Sequence, residues 1–155
     1  MPEPARALQG KESQRLPLHR YDIRVYFEDT DAGGVVYHAA YLKFAERART
    51  EMMRAFGKSH ADMIAETGAI FTVRRCTIEF LRPARLDDLL RVETSISDMG
   101  AATMDLEQRF LRNGDEIARL DVQLACMNGN GRATRIPAII RDALSEQRRR
   151  SRNPN

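Results

Sequence analysis

Between Ile70 and Met127 the chain alternates apolar and polar residues over most of its length, and this period of two restricts the fold more than any other feature. Ala118, Leu120, Val122, Leu124 and Cys126 form an uninterrupted series. Leu90, Val92, Thr94 and Ile96 alternate with Arg91, Glu93 and Ser95; Met104, Leu106 and Phe110 mark another run, and Cys76, Ile78 and Phe80 share a face of the first. The links "RPARLDD", "DMGA" and "RNGD" are short and turn-forming. Parallel strands need a crossover of a dozen residues or more, so these four strands should pair antiparallel. A further strand is expected in "RYDIRVYF", where Ile23, Val25 and Phe27 oppose Asp22, Arg24 and Tyr26.

One long helix accompanies the strands. Tyr41, Ala45, Ala48, Met52 and Phe56 recur at helical spacing, with Lys43, Arg47 and Arg54 on the other side and Gly57 as a C-cap. A short helix is expected around Ala61 to Glu66, ending at Gly68, and Pro137 is placed to open a C-terminal helix reaching about Gln147. One long helix, two shorter ones and five strands make an α+β domain. The long helix covers one sheet face only, so the other face is solvated or meets a second subunit, which favours an oligomer.

A chain of 155 residues suffices for one domain. Residues 1–18 read as a disordered leader, 19–147 as the folded domain and 148–155 as a basic disordered tail. The net charge of +3 resides in that tail: "RRRSRNPN" holds four of the 25 Lys and Arg, and the other 21 face 22 acids. Such a tail could touch anionic lipid or nucleic acid, but a solvated end is the simpler reading. The N-terminal stretch has no signal-peptide core, and no apolar run approaches the roughly 18 residues of a membrane span. A cytoplasmic location is therefore expected, with Cys76 and Cys126 as buried free thiols.

The chemistry concentrates in "EDTDAGGVVYHAAYLKFAERART", residues 28–50. Acids ahead of a helix can simply oppose its dipole or cap it. A calcium loop would need ligands where Gly33 and Ala40 stand, so calcium is not expected. Gly33-Gly34 lacks the Lys-Ser/Thr of a phosphate cradle, "GNGRAT" at Gly129 lacks a third glycine, and three scattered histidines make no metal site. The functional alternative uses the same electrostatics. Open N–H groups at a helix mouth can hold a carbonyl oxygen that gains charge, while a carboxylate across a glycine turn attacks that carbonyl or activates water. An aspartate in water titrates near about 3.9 and is ionised at neutral pH. Those parts suit thioester hydrolysis.

"RVYFEDTDAGGVVYHAAYLKFAERARTEMMR", together with "RPARLDD", resembles the hotdog-fold acyl-CoA thioesterases of the Tol–Pal-associated YbgC type, within the group typified by 4-hydroxybenzoyl-CoA thioesterase. The resemblance extends from about Arg20 to Ile140 in strand–helix order. It implies an antiparallel sheet of about five strands wrapped around one central helix. It also implies homodimers or homotetramers with the site at the dimer interface, acyl-CoA as substrate, and neither cofactor nor metal. Carried over by position, Asp31 is the catalytic carboxylate. His38 assists proton transfer, the His38 and Ala39 amides form the oxyanion site, and Tyr26 matches a tyrosine of the preceding strand. Gly34, Val35 and Tyr41 would line the substrate site, with Arg74 and Arg85 as candidates for the coenzyme phosphates; Arg75 and Arg82 share that candidacy on charge. Phe27 and Ala40 depart from the pattern, where relatives have Tyr and Asn or Ser.

Glu46 sits among Lys43, Arg47 and Arg49 and reads as part of a solvated ion-pairing face. An acyl carrier protein or anionic lipid is a possible further contact, and nucleic acid is not expected. Two rivals remain: a non-catalytic acyl-CoA or acyl-carrier binding module, and a hotdog dehydratase acting on 3-hydroxyacyl thioesters.

Overall fold

The alternating runs become one sheet because each strand turns its apolar residues to the same side. The computed structural model describes residues 17–153. In chain order it contains β1 (His19–Arg24), α1 (His38–Ala55), α2 (His60–Thr67), β2 (Ile70–Phe80), β3 (Leu89–Met99), β4 (Thr103–Arg112), β5 (Asp115–Met127) and α3 (Ala138–Arg152). The strands form a single antiparallel sheet in the order β1-β3-β4-β5-β2. Asn113 and Gly114, both at positive φ, make the tight turn that sets Arg112 opposite Asp115 in the β4–β5 hairpin. The expected leader falls mainly on residues 1–16, outside the described residues.

Leu90, Val92, Met104, Leu106, Phe110, Leu120 and Val122 are buried on the inner face, against Tyr41, Phe44, Ala45, Ala48, Met52 and Met53 of α1. Ile140 and Leu144 of α3 join the same core. Alanine at 45 and 48 lets the helix lie close to the sheet. Gln108 of β4 reaches across to donate to the Ala45 carbonyl at 3.0 Å. The outer face is a lattice of paired charges, among them Arg20–Glu93, Arg91–Asp22 and Arg119–Glu116.

Four expectations are corrected. The first strand stops at Arg24, and a 3-10 turn over Phe27–Asp29 follows because the Asp29 carboxylate accepts the Tyr26 amide at 2.8 Å. Phe27 is consequently 81% exposed instead of facing inward. Cys126 is a buried free thiol, but Cys76 is exposed. It pairs with Val122 on the inner face, yet α1 lies nearer β1 and β3 and leaves the β2 margin uncovered. The C-terminal helix continues to Arg152, so residues 148–152 are helical instead of an unstructured tail. Arg148 donates to the Ser97 carbonyl at 3.0 Å, which docks that last turn on β3. Finally, Arg49 is buried, pairing with exposed Glu46 and donating to Gln108 Oε1 at 2.8 Å.

Candidate active site

The two aspartates of "EDTD" have different tasks. Asp29 is buried: its carboxylate closes the 3-10 turn, and its carbonyl accepts the Tyr37 amide at 2.9 Å. Asp31 is exposed, and its Oδ1 accepts the Gly33 amide at 2.8 Å. Any side chain at Gly33 would crowd that oxygen, since a Cβ there would stand 3.1 Å from it. Gly34 at φ +76 reverses the chain, a conformation that costs residues with a side chain. Asp31 N then donates to the Val35 carbonyl at 2.9 Å, and Val36 N donates to the Ala84 carbonyl at 2.8 Å. The "RPARLDD" segment thereby pins the loop that carries Asp31.

This loop delivers the chain into α1 without a side-chain cap. Tyr37 is the N-cap and makes no capping bond, and the first turn holds no acid. Ala40 N finds the Tyr37 carbonyl at 2.8 Å, while the His38 and Ala39 amides precede any intrahelical acceptor. The acids of the loop therefore do not neutralise this helix mouth by capping it, as the simpler reading of the sequence would have it. Asp29 serves the preceding turn, and among the described residues the Asp31 carboxylate accepts only the local Gly33 amide and is otherwise exposed.

Asp31 and His38 line one open cleft of about 360 Å³, together with Val35, Val36, Tyr41 and the segment Phe80–Pro83. Tyr41 is buried in an aromatic group with Phe80 and Phe110, ring centroids 5.3 and 5.4 Å away. Burial pushes its phenol above the ordinary range, against a backbone hydrogen bond at Ala84 that acts the other way. The His38 ring rests against Tyr37, at 4.3 Å between centroids.

Of the residues expected at the site, Asp31, Val35, His38 and Tyr41 thus come together, with Ala39 in the adjoining turn and Gly34 in the reversal between them. Tyr26 does not join them; it is 61% exposed and lies outside the cleft lining. Arg74 occupies the irregularity between Val73 and Arg75 in β2, and Arg85 offers its amide to Asp88 Oδ2; neither lines the cleft. Arg82 does, with its guanidinium 3.7 Å from the Asp115 carboxylate. Phe80, Leu81 and Pro83 were not anticipated. Their apolar character at the end of a strand was visible, but their approach to α1 depends on sheet order. Among the described residues no group of three His, Cys, Asp or Glu side chains is placed to hold a metal ion. No described helix is long and apolar enough to cross a membrane.

An exposed carboxylate and uncapped helix amides stand beside one cleft, on a five-stranded sheet packed on a helix. Residues 25–144 match the family model described as the thioesterase-like superfamily, and the chain belongs to that family, whose members include thioester hydrolases of the hotdog fold. Within it the chain is YbgC-like. It is 42% identical over 125 residues to "Acyl-CoA thioesterase YbgC" of Haemophilus influenzae, covering 80% of this chain and 92% of that protein. It is 51% identical over 94 residues to "Acyl-CoA thioester hydrolase YbgC" of an Escherichia coli O6:H1 strain, covering 61% and 69% respectively. A crystal structure of a probable thioesterase from Bartonella henselae superposes with a TM-score of 0.74 at 38% identity, covering 77% of this chain and 98% of that one.

Proposed function

We propose that this protein hydrolyses acyl-coenzyme A to a free acid and coenzyme A. The observation that carries the reading is the convergence of the Asp31 carboxylate with the open end of α1 on one cleft. Similarity to proteins named acyl-CoA thioesterase YbgC supports the choice of thioester.

In this reading the thioester carbonyl oxygen lies against the His38 and Ala39 amides, where a helix N-terminus stabilises the developing oxyanion. Asp31 either takes a proton from water as it attacks or attacks the carbonyl itself. Collapse of the tetrahedral species breaks the C–S bond and leaves a new C–O bond. In the first route the proton that Asp31 took from water passes to the departing thiolate with His38 assisting; in the second, water hydrolyses the anhydride formed on Asp31, releasing the free acid and supplying that proton. Arg82, at the cleft rim, is best placed among the arginines to meet a coenzyme phosphate, ahead of Arg74 and Arg85.

Release of free thiol from short, long and aromatic acyl-CoAs tests the reading. Hydrolysis frees coenzyme A, whereas a binding module or a dehydratase does not. Absence of thiol release across the series would refute it. A homodimer or homotetramer, a cytoplasmic location and service to the Tol–Pal envelope system belong to the same proposal. So do contacts with an acyl carrier protein or anionic lipid.

A further inference from the structure

The loop that bears Asp31 is anchored to a second loop, and an arginine from a distant strand holds that second loop. Asp31 N donates to the Val35 carbonyl, Val35 forms an antiparallel bridge with Arg85, and Val36 N donates to the Ala84 carbonyl at 2.8 Å. The Ala84 backbone also hydrogen-bonds the phenol of Tyr41, the α1 residue in the cleft wall. Ala84 is fully buried, so close packing fixes the point from which it meets both.

Residues 83–88 are fixed in turn from two sides. From the end of β1, Arg24 Nη1 donates to the Asp87 carbonyl at 2.8 Å. Beside it Asp87 N donates to the Val25 carbonyl at 3.1 Å, and Val25 N to the Asp88 carbonyl at 2.9 Å. From β4, a single nitrogen of Arg112, Nη1, donates to both the Pro83 carbonyl and Asp88 Oδ2, each at 2.9 Å. Asp88 Oδ2 also accepts the Arg85 amide at 2.8 Å, so one carboxylate oxygen joins Arg112 to the residue that bridges Val35. Asp87 stands at φ +69, a left-handed conformation that a residue with a side chain keeps only where its surroundings hold it.

Stability alone is a poor account of this arrangement. The Arg112 and Asp88 side chains are 28% and 24% exposed, and ion pairs within reach of water contribute little on average. What is particular to Arg112 is its place. Pro83 lines the cleft, and the next carbonyl along the chain is the one that receives Val36. We infer, building on the thioesterase reading, that Arg112 is a positioning residue for catalysis: through Pro83 and Asp88 it sets the Ala84 carbonyl, and through Val36 and Val35 the place of the Asp31 carboxylate against the mouth of α1. Arg112 does not itself line the cleft, and its influence reaches the reaction only through this chain of bonds.

Arg112→Met keeps the alkyl stem and removes both bonds. It should lower kcat by about tenfold or more and kcat/KM equally, with KM within about twofold, because the placement of Asp31 acts on the chemical step. Both bonds leave one nitrogen, which a lysine ammonium with its three donors can replace, so Arg112→Lys should retain most of kcat. The deciding comparison is made in Asp31→Asn, with thiol release followed at high enzyme concentration. There Arg112→Met should change the residual rate by less than about twofold, because residues that act as a unit are not additive. An equal fold-loss in both backgrounds would overturn the inference, as would a kcat for Arg112→Met within about twofold of wild type. Should Arg112→Met fail to fold, Asp88→Asn takes its place: it removes the charged partner yet leaves an oxygen for the Arg85 amide, and the same two comparisons decide. Absence of thiol release by the wild-type protein would instead refute the hydrolase reading, and the inference with it.

Discussion

Asp29 and Asp31 are two residues apart, yet one closes a turn and the other faces a cleft, so substitutions should separate them. Asp31→Asn nearly preserves shape while removing the base or nucleophile, and should lower kcat by about 10²–10⁴. Its melting temperature should change little, since Asp31 makes one local bond to Gly33. Asp29→Ala should show the opposite profile. Loss of its bond to the Tyr26 amide resembles loss of a helix cap and costs about 1 kcal/mol, with kcat less affected than in His38→Ala. The order of effect on kcat is Asp31, then His38, then Asp29, measured by thiol release with thermal melts alongside. Full activity in Asp31→Asn would exclude the mechanism.

At the scale of elements, buried and bridging polar groups tie the strands to one another and to the helix. Gln108 accepts from Arg49 and donates to Ala45 and Thr94, joining β4 to α1 and β3. Gln108→Ala leaves the buried guanidinium without that partner, at a cost of roughly 2–3 kcal/mol, read as a lower denaturant midpoint. Carboxylates do similar work on the outer face. Hydrogen bonding from Arg91 holds Asp22 below the ordinary carboxylate range. For Glu116, burial acts upward but is outweighed by the bonds from Arg119 and Arg109, and the net displacement is downward. Both groups titrate lower in the folded chain than in the unfolded one, so unfolding takes up protons in acid. Their contribution to stability is complete above the ordinary carboxylate range, about pH 5, and is lost as pH falls through the folded values. Melting temperature followed from pH 6 to pH 3 should fall, and in Glu116→Gln it should fall less steeply. An unaltered slope in that variant would remove Glu116 from the account.

For the molecule as a whole, the uncovered β2 margin and the docked C-terminal helix carry the consequences. Light scattering at micromolar concentration should return a dimer or tetramer, and a monomer that still hydrolyses thioesters would contradict a shared site. Truncation after Gln147 removes the last turn of α3 and the Arg148–Ser97 bond. A loss of about 1 kcal/mol, or roughly 2–4 °C, is expected for a chain of this size. Turnover of soluble substrate should change little, because no described residue beyond Gln147 lines the cleft.

The sequence by itself determined the order of the elements and several residues of the candidate cleft. Period-two runs identify β2 to β5 because each strand must bury one face, and the Tyr41–Met52 spacing identifies α1 for the same reason at a period of 3.6. Asp31, Val35, His38 and Tyr41 were legible because the loop and the helix that bring them together are continuous in the chain. Only the tertiary structure decided what depends on distant segments. The burial of Arg49 follows from a glutamine 59 residues away, a pairing that local charge pattern cannot express. The exposure of Cys76 follows from where α1 lies over the sheet, and the length of α3 from its docking on β3. The ending of β1 at Arg24 follows from one side-chain bond that outweighs the alternation through Phe27. Periodicity reports which faces seek burial. Which of them obtain it is settled by the order of strands in the sheet and by where α1 lies across it.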